Sequence, residues 1–180
     1  MKINLPNKIS LLRVLLVPLF LFLVLGNTKY GIYLSTAVFI IAACTDGIDG
    51  HIARTTNQVT KLGKFLDPLA DKFLITAAII ALVQLNKIPG WIAFVIISRD
   101  LMVDVLRMLA ASEGVVIHAS YLGKFKTTVQ IIAVVSLLLD NYPFHLINFP
   151  FSYVTLYIAL ILTVASGLDY LNKSLVFIKN

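Results

Sequence analysis

The chain has 180 residues, of which 59% are hydrophobic, whereas a soluble domain has roughly 45–50% apolar residues. The excess falls in long blocks, which excludes an ordinary water-soluble domain and predicts an integral membrane protein. The net charge is +6, but most bases flank apolar blocks, so they indicate membrane orientation and contact with anionic headgroups rather than nucleic acid.

Apolar blocks follow one another along the whole chain, and a helix needs about 20 such residues to cross a bilayer. Turn-forming residues separate the blocks, for example Asn86–Gly90 and Asp140–Pro143. The fold class is therefore predicted to be all-α and integral to the membrane, as one domain over residues 1–180 with a short interfacial segment at 1–8. The six predicted transmembrane helices cover about 9–25, 31–54, 63–85, 90–112, 123–140 and 150–177.

Positive charge predicts the orientation of these spans. An even number of spans puts both termini on one side, and the loops of the other side hold only Lys29 and Lys87. Short loops rich in Lys and Arg stay cytoplasmic, so both termini are predicted to be cytoplasmic, in a bacterial cytoplasmic membrane. Aromatic residues near span ends are predicted interfacial anchors, namely Trp91, Tyr142, Tyr153 and Tyr170.

Carboxylates inside apolar spans are costly and usually functional. Asp46 and Asp49 are three residues apart in the second span, and Asp67 and Asp71 are four apart in the third, so each pair shares a helix face. If the two spans form an antiparallel hairpin, all four carboxylates lie at one depth, about 13–19 Å from the turn. The active site is therefore predicted near the cytoplasmic side of the bundle.

Four close carboxylates cannot all stay ionised without cations. Oxygen-only ligands suit Mg²⁺, Mn²⁺ or Ca²⁺, and two ions in one site suit a pyrophosphate. Three other interpretations are open: local ion pairs with bases such as Lys64, Lys72 or Arg54, a divalent-cation transporter, and a lipid-binding protein without turnover. Against transport, the acids and many bases gather toward one side.

Small residues accompany the acids and let a ligand or another backbone approach closely. Gly50 follows Asp49 directly, Ala53 lies on the same side of its helix, and Gly63 precedes the third acid by four residues. Arg54 ends this run and can meet a phosphate. Acids and small residues together form the pattern Asp46-x-x-Asp49-Gly50-x-x-Ala53-Arg54, then eight residues, then Gly63-x-x-x-Asp67-x-x-x-Asp71.

This pattern resembles the complete signature of the CDP-alcohol phosphotransferase family, without a departure at any of its positions. The resemblance implies that Asp46, Asp49, Asp67 and Asp71 hold divalent ions, Mg²⁺ or Mn²⁺, two per site. It implies that Asp71 is the general base that deprotonates the acceptor hydroxyl. It also implies a CDP-binding set and CMP as leaving group; the set comprises Asp46, Gly50, Ala53, Arg54, Gly63 and Asp67.

The acceptor must be decided by other residues. Arg99 lies inside the fourth span and needs a partner, either Asp100, Asp104 or an anionic ligand. With Arg107, Lys124 and Lys126 it is predicted to bind the phosphate of a phosphorylated acceptor, which choline or ethanolamine would not need. The two lysines are also compatible with an ordinary cytoplasmic loop.

The segments around these bases resemble the phosphatidylglycerophosphate synthase branch, whose acceptor is glycerol 3-phosphate. Asn7, Ser10, Arg13 and Thr127 share in this resemblance as accessory residues, while Arg99-Asp100 stands where that branch often has Arg-Glu. The expected reaction transfers a phosphatidyl group from CDP-diacylglycerol to glycerol 3-phosphate. Inositol phosphate, serine and phosphatidylglycerol are alternative acceptors. The expected partners are these substrates, membrane lipids and a second copy of the chain in a homodimer.

Overall fold

The computed structural model describes residues 5–26, 28, 30–55, 61–112 and 121–178, and the regular secondary structure of these residues is entirely helical. The predicted all-α class is thus confirmed. The elements are α1 Leu5–Leu25, α2 Gly31–Thr55, α3 Lys61–Gln84, α4 Gly90–Ser112, α5 Tyr121–Leu138, a short 3₁₀ helix Phe144–Ile147, and α6 Phe151–Ile178.

The helices form two compact units, Met1–Leu85 and Asn86–Asn180. In the first unit α1 packs against both α2 and α3, which also contact each other. In the second unit α6 packs against both α4 and α5. Each unit is therefore organised around one apolar helix, and the single domain expected over residues 1–180 stays a prediction.

The predicted breaks between helices are occupied by residues that tolerate a left-handed backbone. Asn86 (φ 56°) follows α3, and Asp140 (φ 52°) and Asn141 (φ 64°) follow α5. The Asn141 side chain then organises the start of α6, because its Oδ1 accepts a bond of 2.9 Å from the backbone N–H of Ser152. This bond satisfies one of the backbone donors that a helix start leaves unpaired.

A basic side chain closes the end of α5. The Lys87 Nζ donates to the carbonyl oxygens of Leu137 (2.9 Å) and Leu138 (3.0 Å) and forms an ion pair of 2.8 Å with Asp140. The last carbonyls of a helix carry partial negative charge and need donors. Lys87, one of the few bases predicted on the non-cytoplasmic side, therefore has a structural partner.

Burial in the first half of α1 is reversed relative to a soluble helix. Ser10 and Arg13 are fully buried, whereas Leu12 is 53% and Leu15 62% exposed. In water this arrangement would be unfavourable, because it leaves apolar side chains exposed to solvent. In hydrocarbon it is favourable, because it places the polar groups where other helices can form hydrogen bonds with them. The burial pattern therefore supports an integral membrane protein independently of hydropathy.

Within the described residues, three stretches are long and apolar enough to cross a membrane, Lys8–Leu25, Tyr121–Leu138 and Phe151–Asn172. The apolar stretches of α2 and α3 are shorter, Gly31–Thr45 and Lys72–Gln84. The remaining helix, α4, carries charged residues from its middle onward. Each of these three helices, α2, α3 and α4, carries some of the ionisable residues that the sequence singled out as functional.

Candidate functional site

The four predicted metal ligands lie on two packed helices. Asp46 and Asp49 belong to α2, Asp67 and Asp71 belong to α3, and the two helices contact each other in the first unit. Their helical backbone gives each pair the shared face that the spacing predicted. The side chains of these aspartates lie outside the described residues, as do those of Ala53 and Arg54 and the surroundings of Gly50 and Gly63. Their ligand roles stay predictions.

The accessory residues of α1 are deeply placed. Ser10 and Arg13 are both fully buried, one helical turn apart, on the helix that packs against α2 and α3. A guanidinium with no exposed surface must have polar surroundings, since an isolated buried charge is very costly. Both residues therefore lie in polar surroundings, on the helix that packs against the two aspartate-carrying helices. Asn7 lies outside the described side chains.

A buried ionic cluster joins α4 to α5 in the second unit. Both carboxylate oxygens of Asp100 accept bonds of 2.6 Å from the Lys126 Nζ, and Oδ1 also accepts one of 2.9 Å from Arg99 Nη1. The Lys126 side chain is only 5% exposed. Of the partners expected for Arg99, Asp100 is thus confirmed.

The helix α6 forms the other wall of this cluster. Arg99 Nη2 donates to the Ser166 Oγ at 2.7 Å. The next residue is Gly167, where an added Cβ would lie 3.0 Å from Arg99 Cγ. That distance is shorter than nearly all real Cβ contacts, so the arginine lies directly over the glycine backbone. A side chain added at 167 would therefore push the arginine away by a few tenths of an ångström.

Tyr170 lies between the two arginines of α4. Its hydroxyl accepts a hydrogen bond from Arg107 Nη2, and its ring centroid is 5.0 Å from Arg107 Cζ and 5.8 Å from Arg99 Cζ. These are cation–π distances. Tyr170 is only 2% exposed, so its prediction as an interfacial anchor is wrong. The residue lies near a helix end in sequence, but its ring is enclosed by basic side chains.

The two predicted lysines differ in environment. Lys126 is buried in the cluster, whereas Lys124 is exposed and lies over the Tyr121 ring at 5.7 Å. Among the described contacts, none links Lys124 to Arg99 or Arg107. The Thr127 hydroxyl donates to the Gly123 carbonyl at 3.1 Å within α5. The structure therefore groups Arg99, Arg107 and Lys126 through their shared partners, and leaves Lys124 on the surface.

The cluster keeps hydrogen-bonding capacity after its internal contacts are made. The Nε atoms of Arg99 and Arg107 are buried and have no hydrogen-bond partner among the described residues. Buried donors are nearly always satisfied by protein, water or ligand. Guanidinium and ammonium groups are the usual ligands of phosphate. The arrangement is therefore suited to bind a phosphorylated molecule.

An all-helical membrane protein with aspartates on two packed helices and a buried basic cluster is typical of an enzyme that acts on phosphorylated substrates at the membrane. Comparison with known proteins specifies the class. The family model for CDP-alcohol phosphatidyltransferases matches residues 3–165. The chain belongs to the CDP-alcohol phosphatidyltransferase family, as the sequence signature predicted, and the predicted transferase class is confirmed.

Individual relatives cover nearly the whole chain. A Bacillus subtilis protein named CDP-diacylglycerol–glycerol-3-phosphate 3-phosphatidyltransferase is 48% identical over 95% of both chains. A Haemophilus influenzae protein of the same name is 36% identical over 95% of this chain and 93% of its own. A probable phosphatidylglycerophosphate synthase of Mycobacterium tuberculosis is 38% identical over 96% of this chain and 82% of its own. These names agree with the reaction predicted from the sequence.

Proposed function

We propose that this chain transfers the phosphatidyl group of CDP-diacylglycerol to sn-glycerol 3-phosphate, which gives phosphatidylglycerophosphate and CMP. The observation that carries the proposal is the 48% identity, over 95% of both chains, to a relative named for this reaction. The complete aspartate signature and the buried basic cluster supply the chemistry that the reaction needs at its two substrates.

The donor set on α2 and α3 fits hard divalent cations, because it consists of four carboxylates on two helices in contact. Asp46, Asp49, Asp67 and Asp71 would hold Mg²⁺ or Mn²⁺, two ions per site. When bound, such ions neutralise the pyrophosphate of CDP-diacylglycerol and stabilise charge on the leaving phosphate. The remaining CDP contacts are assigned to Gly50, Ala53, Arg54 and Gly63.

The reaction is a displacement at phosphorus. Asp71 accepts the proton of the primary hydroxyl at C1 of glycerol 3-phosphate as that oxygen bonds to the phosphorus that carries diacylglycerol. The bond from this phosphorus to the bridging oxygen of the pyrophosphate breaks, and CMP leaves with the electron pair. Chemistry of this kind depends mainly on positioning and charge stabilisation, and a carboxylate is already ionised and able to act as a base at neutral pH.

The acceptor phosphate is assigned to Arg99, Arg107 and Lys126. Two properties support this assignment. Their charged groups are held by Asp100, Ser166 and Tyr170 before any ligand binds, so little ordering cost remains. The low exposure of Arg99 and Lys126 also strengthens an ionic contact relative to the same contact at a surface. Lys124 belongs to the basic set predicted from sequence, and Asn7, Ser10, Arg13 and Thr127 stay accessory residues.

The protein is proposed to cross the bacterial cytoplasmic membrane six times with both termini and the aspartates toward the cytoplasm. This orientation rests on the distribution of Lys and Arg. Residues 1–180 would act as one domain with residues 1–8 at the interface, surrounded by membrane lipids and paired as a homodimer. A reporter that is active only in the cytoplasm should be active when it is fused after residue 180. A reporter that is active only outside the cytoplasm should be inactive at the same position.

The deciding experiment is CMP release from CDP-diacylglycerol by the protein purified in detergent, with Mg²⁺ or Mn²⁺. Parallel reactions contain glycerol 3-phosphate, inositol phosphate, inositol, serine, phosphatidylglycerol or no acceptor. Release that needs glycerol 3-phosphate and stops with chelator supports the proposal. Release with a different acceptor would overturn the acceptor assignment alone. If the folded protein releases no CMP but carries divalent cations across liposome membranes, the proposal of an enzyme would be replaced by that of a transporter.

A further inference from the structure

A buried amide nitrogen on α5 has no hydrogen-bond partner among the described residues. Gln130 is 3% exposed, and its Nε2 forms no hydrogen bond with any residue in the described part of the chain. Serine and threonine side chains buried in the same unit are satisfied, for example Ser136 by the Ala133 carbonyl at 3.0 Å. An unpaired buried donor is destabilising, and no residue in the described part of the chain supplies a partner for this one.

The position of Gln130 relates it to the basic cluster. It follows Lys126 by four residues on α5, so the two side chains share a helix face, with their Cα atoms about 6 Å apart along the axis. Both side chains are buried, and the Lys126 ammonium meets Asp100 of α4. The face of α5 that contributes a base to the cluster therefore presents an unsatisfied amide one turn further along.

The chemistry of glycerol 3-phosphate includes a group that the proposed reaction leaves unused. Its phosphate is assigned to the basic cluster and its C1 hydroxyl attacks phosphorus, but its C2 hydroxyl takes no part in bond making. A primary amide both donates and accepts hydrogen bonds, so it can pair with a hydroxyl in either direction. A charged side chain at 130 would instead compete for the phosphate.

We propose that Gln130 hydrogen-bonds the C2 hydroxyl of the acceptor and is a specificity-determining residue of the acceptor site. This inference rests on the proposed function, which it deepens. A site built to pair with a hydroxyl discriminates against an analogue that lacks it, because the buried amide is then left unpaired. The enzyme would thereby select a glycerol phosphate over a simpler hydroxyalkyl phosphate.

The test compares two acceptors, glycerol 3-phosphate and 3-hydroxypropyl phosphate, which keeps the phosphate and the reacting hydroxyl but lacks the C2 hydroxyl. The wild-type protein should prefer glycerol 3-phosphate by about tenfold in kcat/KM, as expected for one neutral hydrogen bond made by a buried group. Gln130→Met, of similar size, should reduce that preference to less than about twofold. Its kcat/KM for the analogue and its KM for CDP-diacylglycerol should not change.

Ser136→Ala is the matched control, because it removes a polar group from the same helix that has intrahelical and Thr155 partners. It should keep the full preference between acceptors. Equal kcat/KM of the wild type for the two acceptors would overturn the inference without any variant. A Gln130→Met protein that keeps the tenfold preference would overturn it as well. If the wild-type protein releases no CMP with any acceptor, that result would instead refute the proposed function, and the inference that rests on it.

Discussion

The difference between Lys124 and Lys126 allows a direct test of the acceptor site. Both residues lie two positions apart on α5, both are lysines, and the sequence placed both in one phosphate-binding set. In the structure the Lys126 ammonium is enclosed with Asp100, whereas Lys124 is exposed beside Tyr121. The substitutions Lys126→Met and Lys124→Met therefore remove the same charge from two different environments.

The expected magnitude follows from burial. A hydrogen bond to a charged group contributes about 1.5–3 kcal/mol, which corresponds to about 10- to 150-fold in kcat/KM for glycerol 3-phosphate. With the lysine side chain 5% exposed, little solvent screening reduces this value. After Lys126→Met, Asp100 keeps Arg99 as its partner at 2.9 Å, so the remaining guanidinium is less available to the acceptor. Lys124→Met should cost less than about fivefold, as for an exposed charge.

The assay is CMP release as a function of glycerol 3-phosphate at saturating CDP-diacylglycerol in mixed micelles, with both variants shown to be monodisperse in detergent. The loss for Lys126→Met should appear in the KM for glycerol 3-phosphate, while the KM for CDP-diacylglycerol stays within about twofold of wild type. Equal losses of kcat/KM for the two variants would refute the assignment of the acceptor phosphate to the buried lysine rather than the exposed one. A Lys126→Met protein impaired toward CDP-diacylglycerol alone would place this lysine at the other substrate.

Three further predictions concern other parts of the chain. Asp71→Asn should lower CMP release at least about 100-fold with folding retained, because the amide cannot accept the acceptor proton; substantial residual turnover would assign the base elsewhere. Gly167→Ala should raise the KM for glycerol 3-phosphate about three- to tenfold by displacing Arg99, whereas Gly90→Ala, which meets no atom within 4 Å, should match wild type. Lys87→Met should lower stability by about 1–2 kcal/mol, measured as an earlier thermal transition in detergent, without change in either KM; an unaltered transition would contradict its role at the end of α5.

The helices could be predicted closely because their limits are local. The fourth span was predicted at 90–112 and the helix is Gly90–Ser112, since turn residues precede it and polar residues follow it. The first helix begins at Leu5, whereas hydropathy predicted the span from residue 9. Hydropathy detects only the segment that suits hydrocarbon, and a helix can continue beyond it through Pro6, which is favourable in a first turn.

The partners of the basic residues could not be predicted as readily. Asp100 was foreseen for Arg99 because the two are adjacent, but Ser166 and Tyr170 come from α6, more than sixty residues away. No local pattern marks a hydroxyl or a ring as the partner of a distant arginine. Tyr170 also carried a competing signal, since aromatic residues near span ends commonly lie at the interface. The only signal in the sequence for a role of Gly167 is the general association of small residues with close helix packing.

The two sets of functional residues fall in different halves of the chain. Every position of the aspartate signature precedes Leu85, and Arg99, Lys126, Gln130, Ser166 and Tyr170 all follow it. Under the proposed assignment, the residues that bind the acceptor phosphate could change through substitutions in the second half, without altering any residue that handles the nucleotide. A chimera that keeps residues 1–85 and takes its second half from a family member with another alcohol should therefore inherit the acceptor of its C-terminal parent.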